Sequence, residues 1–266
     1  MRALLKLVRC ELWKLKRRKF ILLVVLSAFL FPIPLTYFMT TPAMVADYPN
    51  KFDCYDALFN FVLGYSVQFL LPCIVGVVAA ILFFMERDND TFKNLRTIPI
   101  TSTQMVLAKV IVLFLFSILF CIASTVITAI CGYLILGVVS KVGFELLMSV
   151  ALGVMITAGT LPLITLVVFF SKTYIFSVLL CIFYTVMNVY VTFLFDVLPK
   201  LVLWLMPGSL TTLWTAQTMI DHGVDLHLEP AMAAIVPSGL QVFLILGGMT
   251  VVSGVLINRI YRRRSD

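Results

Sequence analysis

The chain has 266 residues, of which 62% are hydrophobic and only 12% are charged. Soluble domains carry roughly a quarter charged residues, so this composition excludes an ordinary soluble protein and indicates an integral membrane protein. The polar segments are too short to form the core of a separate soluble domain, and we therefore expect residues 1–266 to form a single membrane domain.

Residues 1–19 are predicted to form an amphipathic helix ahead of the first apolar run. With about 100° of rotation per residue, the apolar face consists of Leu4, Leu5, Leu7, Val8, Leu12 and Leu15. The opposite face carries Arg2, Lys6, Arg9, Lys16 and Arg17, with Trp13 on the same polar side. Such a helix is typical of the membrane interface. The simpler alternative is a positively charged anchor that only sets the topology.

Six apolar runs are long enough to cross a membrane. They lie at about 20–40, 58–85, 104–139, 145–171, 173–197 and 236–258. If both termini are cytoplasmic, only Lys51, Lys141 and Lys200 of the 20 Lys and Arg residues lie in outer segments. This distribution follows the positive-inside rule. We therefore expect a multi-pass protein of the cell membrane, the bacterial plasma membrane, with both termini in the cytoplasm. The basic charge gives little support for nucleic-acid binding.

The charged segment 86–103 separates the second and third predicted spans. Asp90 can cap a short helix, Pro99 would end it, and Thr101 or Ser102 can cap the helix that follows. The apolar side chains of this short helix would be Phe92, Leu95 and Ile98. We interpret it as a surface helix that docks a soluble cytosolic partner. An ordinary solvated loop is the alternative.

Small residues recur at helical spacing inside the spans. Such rows are Ser117–Cys121–Thr125–Ala129 and Ser124–Thr128–Gly132 in the third span, Ser149–Gly153–Thr157 in the fourth, and Gly76 with Ala80 in the second. These rows allow helix backbones to approach closely within a membrane. Their predicted role is helix packing, with a substrate path as the less favoured interpretation. Pro72 is expected to kink the second span.

Gln68 and Asn188 are the larger polar groups within the spans, and no charged residue is predicted near the middle of the membrane. Carriers driven by proton or sodium gradients usually need an ionisable group there, so the pattern argues against a secondary transporter. The two side chains are candidates for a cargo path. They can equally form hydrogen bonds between helices, which is the commoner use.

Residues 196–236 form an outer segment that is only partly polar. We expect one or two short helices that dip into the outer leaflet, with Trp204 and Trp214 at interface depth. His222 and His227 lie among acidic residues here, but their spacing matches no defined metal site. We therefore predict a solvated acidic segment and no bound metal.

Motifs for nucleotide binding and hydrolysis are absent from the sequence. There is no G-x-x-x-x-G-K-[ST], no H-E-x-x-H and no G-x-S-x-G, so the chain has no phosphate-binding loop and no common hydrolase site. We expect a protein that is not itself an enzyme and that binds no cofactor.

With these features in view, the chain resembles the membrane subunit of type-2 ABC exporters, which have the ABCG-like architecture. The resemblance rests on the basic helix at 2–19, on E-x4-T-F-K-x-L-x-x-x-P-I-T at 86–101 followed by Lys109, and on the outer insertion. It departs from the family pattern at Asp90, where glycine is common, and at Thr101-Ser102, where Ser-Arg is common. The resemblance implies an all-α fold of six transmembrane helices.

The resemblance also implies that residues 86–103 are a coupling helix that docks on a dimeric cytosolic ABC ATPase, which binds the ATP and Mg. The implied docking residues are Glu86, Arg87, Asp90, Thr91, Phe92, Leu95, Arg96 and Pro99. Lys6, Arg9, Trp13 and Lys16 of the interfacial helix are expected to assist. A second copy or a homologous permease would complete a cargo path lined by the second and fifth spans.

Within this family the short chain is most similar to the permeases of bacitracin, lantibiotic and other antimicrobial-peptide exporters. That similarity implies export of an amphipathic peptide or a hydrophobic drug, for immunity or resistance. Sodium ions or lipid remain alternative cargoes. The alternatives from other classes are a secondary carrier that needs no ATPase and a non-transporting assembly or sensor subunit.

Overall fold

The computed structural model describes residues 2–17, 26–46, 48, 50–88, 101–170, 174–224 and 230–265. Every regular element in these ranges is a helix. The elements are α1 (Arg2–Lys16), α2 (Pro32–Met39), α3 (Pro42–Ala46), α4 (Lys51–Asn60), a π-helical segment (Phe61–Val67), α5 (Gln68–Asp88), α6 (Ser102–Leu136), α7 (Val142–Phe169), α8 (Tyr174–Phe193), α9 (Lys200–Leu205), α10 (Pro207–Asp221), α11 (Pro230–Ala233) and α12 (Gly239–Ser265).

Five helical segments of the described chain are long and apolar enough to cross a membrane. They are Lys51–Met85, Ser102–Leu136, Val142–Phe169, Tyr174–Phe193 and Gly239–Arg263. They confirm the prediction of an all-helical membrane protein and correspond to the second to sixth predicted spans. The first predicted span, 20–40, lies partly outside the described residues, and its remainder contains the short helix α2. A sixth spanning helix therefore stays a prediction.

The helix of the second span begins at Lys51 and not near residue 58, as the apolar run had indicated. The predicted start of this span was wrong because Asp53 and Asp56 resemble loop residues. In the structure Cys54, Tyr55 and Leu58 are fully buried. The polar residues lie on the less buried side of an amphipathic helix, so the outer loop is shorter than predicted.

Small residues bring α6 and α7 close together, as their spacing predicted. The Thr125 and Ser149 hydroxyl oxygens are 2.5 Å apart. A Cβ atom on Gly153 would lie 2.8 Å from the Cα atom of Ile118, so only glycine permits this approach. Gly76 likewise faces Cys181 of α8 with no room for a side chain. The packing role of the rows that contain Thr125, Gly153 and Gly76 is confirmed.

The segment 196–236, which was predicted to be an outer insertion, folds back over the spanning helices. The helix α10 packs against α7 and α8, and Leu210 and Leu213 are buried there. On α9, the Trp204 indole N–H donates a hydrogen bond to the Ile235 carbonyl oxygen at 2.8 Å. The Lys200 ammonium lies 4.6 Å from the centroid of the Trp204 ring. The helix α10 therefore holds the insertion against the spanning helices, and the Trp204–Ile235 hydrogen bond joins the two ends of the insertion.

A polar network joins α4, α7 and the end of α10. Tyr55 donates its hydroxyl hydrogen to Glu145 Oε2 at 2.9 Å, and both side chains are buried. Lys141, at φ 47° just before α7, donates to the Gly223 carbonyl oxygen at 2.9 Å and pairs with Asp56 at 3.5 Å. This network connects α4 and the start of α7 to the residue that follows the C-terminal end of α10.

Replacing Tyr55 with phenylalanine is expected to lower the free energy of unfolding by about 1–3 kcal/mol, because a buried carboxyl oxygen would lose its donor. Thermal unfolding of the purified protein in detergent would measure the change. Tyr133→Phe is the matched control, since the Tyr133 side chain is 66% exposed. Equal midpoints for the two variants would show that the Tyr55–Glu145 hydrogen bond does not stabilise the fold.

Candidate functional site

The predicted docking segment lies mostly outside the described residues. This applies to Asp90, Thr91, Phe92, Leu95, Arg96 and Pro99. Glu86 and Arg87 belong to the last turn of α5, which extends to Asp88. On the other side of the segment, Thr101 caps α6: its hydroxyl accepts from the Gln104 N–H at 3.3 Å, and Gln104 Oε1 accepts from the Thr101 N–H at 3.2 Å. This capping box confirms the predicted helix start.

The helix α1 packs along α6 at the cytosolic side of the predicted topology. The four residues proposed to assist docking, Lys6, Arg9, Trp13 and Lys16, are all exposed. The predicted apolar face is divided. Val8 and Leu15 are buried against the protein, whereas Leu5 and Leu12 are 67% and 39% exposed. The neighbouring helices therefore cover part of the predicted apolar face, and the rest of it is exposed.

Glu11 is a residue that the sequence analysis missed. It is 2% exposed and pairs with Lys109 of α6, which is fully buried, at 3.1 Å. The Lys109 ammonium also donates to the Leu82 carbonyl oxygen of α5 at 2.8 Å. The sequence did contain a sign that Glu11 is buried. Glu11 shares the helical spacing of Val8 and Leu15 and therefore lies on the apolar face of α1.

Gln68 and Asn188, far apart in sequence, line the same cavity of about 240 Å³. The cavity lies between α5, α8 and the start of α10. Its aromatic walls are Phe31, Phe69 and Phe193, and its polar lining includes Thr212. The structure thus brings together the two polar side chains that the sequence singled out within the spans.

Hydrogen bonds at this cavity hold α10 against the spanning helix α8. Asn188 Oδ1 accepts from the Gly208 N–H at 2.8 Å, and Asn188 Nδ2 donates to the Tyr184 carbonyl oxygen at 2.9 Å. Gly208 is required here, because a Cβ atom on it would lie 2.8 Å from Asn188 Cβ. The two amides therefore do form contacts between elements, which was the commoner of their two expected uses.

The Gln68 side chain has unused hydrogen-bonding capacity. Its Oε1 accepts from the Thr212 hydroxyl. Its Nε2 is buried and has no hydrogen-bond partner within the part of the chain that the structure describes. A buried donor without a partner is costly, and Gln68 lines the cavity, so its amide is a candidate donor to a molecule that binds there.

The arrangement supplies binding groups and no reactive ones. The cavity combines aromatic walls with amide and hydroxyl groups, which can bind a molecule that has both apolar and polar parts. Within the described ranges, no three His, Cys, Asp or Glu residues are grouped closely enough to hold a metal ion.

Comparison with known proteins identifies the family. The family model described as ABC-2 family transporter protein matches residues 7–188. This range extends from α1 through the docking segment to Asn188 in α8 and covers more than half of the chain. A search of curated proteins finds no match. The chain belongs to the ABC-2 family of transporter proteins.

Proposed function

We propose that this ABC-2 family subunit belongs to an ATP-driven exporter that moves amphipathic peptides or hydrophobic drugs out of the cell or membrane. The observation that carries the proposal is the cavity in which Gln68 and Asn188 meet aromatic side chains. An amphipathic cargo can place its apolar part against Phe69 and Phe193 while a carbonyl oxygen accepts from Gln68 Nε2. Antimicrobial peptides of the bacitracin or lantibiotic type have this dual character.

The size of the cavity limits how much cargo it can hold. Pockets for drug-sized ligands usually have about 300–1,000 Å³, and this cavity has about 240 Å³. It therefore accommodates one side chain or one segment of a larger molecule. A second copy of the chain, or a homologous permease, would supply the remainder of the path.

The energy source is proposed to be a dimeric cytosolic ABC ATPase, which binds ATP and Mg. Residues 86–103 form the docking segment, and the exposed basic residues of α1 assist. Since ATP energy can be transmitted only through contacts that differ between two states, the docking segment must move with the ATPase. Both termini of the chain then lie in the cytoplasm.

Replacing Gln68 with leucine tests the cargo site. Leucine keeps a similar size but removes the free donor, so the apparent KM for ATP-driven uptake of a fluorescent amphipathic peptide into inverted vesicles should rise about tenfold or more, as expected for a lost polar contact. The ATPase rate without peptide should stay unchanged. The vesicles would contain the chain together with its ATPase.

Gln217→Leu provides the matched control, because Gln217 lies on α10 with its amide bonded to Asp221 in an exposed position. Its apparent KM should equal that of the wild-type protein. An unchanged KM for Gln68→Leu would remove this cavity from the cargo path. Dye-labelled phospholipid as a second probe would show whether lipid is the better cargo.

A further inference from the structure

The buried pair of Glu11 and Lys109 joins three helices at one point. Lys109 of α6 contacts the carboxylate of Glu11 on α1 at 3.1 Å and the Leu82 carbonyl oxygen of α5 at 2.8 Å. Lys14 holds the other Glu11 oxygen at 2.5 Å. The Lys109 ammonium also lies 5.5 Å from the centroid of the Phe83 ring.

Attaching α1 through a buried ion pair carries a large desolvation cost. Burying two charges costs several kcal/mol per ion, and a buried ion pair often stabilises a fold no better than apolar residues of similar volume. The helix α1 already buries Val8 and Leu15 against its neighbours. We therefore expect the directional contacts of the Glu11–Lys109 pair to determine the position of α1 more than they stabilise its attachment to α5 and α6.

The position that the pair fixes is close to the docking segment. Leu82 lies within the last two turns of α5, which ends at Asp88, and Lys109 lies about two turns into α6, which begins at Ser102. With a rise of 1.5 Å per residue, the pair is about 10 Å along the helix axes from the last residue of α5 and from the first residue of α6, and the docking segment 86–103 spans both of these ends. Phe83 further contacts Tyr261 of α12, with ring centroids 6.3 Å apart.

We infer that Glu11 and Lys109 are positioning residues that make α1 and the cytosolic ends of α5 and α6 move as one body. This inference rests on the proposed function, because the body would receive the movement of the ATPase. A displacement of α1 relative to α6 would break the Glu11–Lys109 ion pair, and a displacement of α5 relative to α6 would break the Lys109–Leu82 hydrogen bond. When the docking segment and α1 move, α5 therefore moves with them. This helix lines the cargo cavity with Gln68 and Phe69.

A Glu11→Met/Lys109→Met variant separates positioning from stability. Replacing both charges with apolar side chains avoids an unpaired buried charge, so the thermal midpoint should not fall. We expect the ATPase rate to be retained while peptide transport per ATP falls by at least about tenfold, which is within the usual range of coupling between sites. Lys109→Arg keeps the charge and should retain most of the transport.

A distance measurement that needs no cargo provides the second readout. Spin labels would be placed on the exposed Cys10 and on a cysteine replacing Leu107, which is 47% exposed, with the other five cysteines changed to alanine. The wild-type distance should be narrow and equal with and without ATP. In the double variant it should broaden or change with ATP.

The control variant is Lys141→Met, which removes a lysine from the ion pair at the outer end of the protein and should leave both readouts unchanged. A double variant that transports as much peptide per ATP as the wild type, with an equally narrow distance, would overturn the positioning role alone. Absence of ATP-driven transport by the wild-type protein would overturn the proposed function and this inference with it.

Discussion

Replacing Gly153 with valine is expected to prevent stable folding of the membrane domain. A Cβ atom at this position would lie 2.8 Å from Ile118 Cα and 3.0 Å from Ile118 N. These are backbone atoms of α6, so no side-chain rotation can relieve the contact, and α6 and α7 must separate. Overpacking of a buried site typically costs about 1–3 kcal/mol and occasionally more, and we expect about 3 kcal/mol or more here.

Purified protein in detergent would show this loss as a lower thermal midpoint and as aggregation on size-exclusion chromatography. Gly247→Val in α12 is the matched control, since a Cβ atom there has no other atom within 4 Å. Alanine at position 153 should be milder than valine, because its higher helix propensity offsets part of the cost. A Gly153→Val protein as stable as the Gly247→Val protein would contradict the close packing of α6 and α7.

Glu86→Ala and Arg96→Glu are each expected to uncouple ATP hydrolysis from transport while the protein remains folded. Both residues belong to the proposed docking segment, and neither is expected to contribute to the packed core. We expect transported peptide per hydrolysed ATP to fall by about tenfold or more, which corresponds to about 1.4 kcal/mol of lost coupling. The measurement compares peptide uptake and phosphate release in the same vesicles.

Lys51→Glu is the control for charge reversal, because Lys51 is exposed at the N-terminal end of α4, which is predicted to face outward. This variant should change neither the rate of peptide uptake nor the rate of phosphate release. Normal transport per ATP by both Glu86→Ala and Arg96→Glu would remove the docking role from residues 86–103. Unfolding of either variant, seen as a lower thermal midpoint, would instead show that the side chain supports the fold.

The membrane class and the packing of its helices could be predicted from local sequence patterns. Composition alone excluded a soluble protein, and the rows containing Ser149 and Gly153 correctly indicated a close contact. Thr101 was one of two residues, with Ser102, recognised as able to cap α6, because capping depends on residues close together in the sequence. In each case the physical cause lies within one helix or one turn of the sequence.

The contacts between distant segments could not be predicted in this way. Glu11 and Lys109 are 98 positions apart, and a helical wheel cannot tell whether an apolar face meets lipid or protein. Gln68 and Asn188 were recognised as unusual polar residues within the spans. Their contacts with Thr212 and Gly208 depend on how the outer insertion folds back, and its sequence has no regular period that would indicate this.

Transport by vesicles that contain this chain and its ABC ATPase tests the central claim most directly. Uptake of a fluorescent amphipathic peptide should require ATP, should stop when the ATPase cannot hydrolyse ATP, and should not respond to a proton or sodium gradient. Uptake driven by an ion gradient in vesicles without the ATPase would contradict the account and identify a secondary carrier.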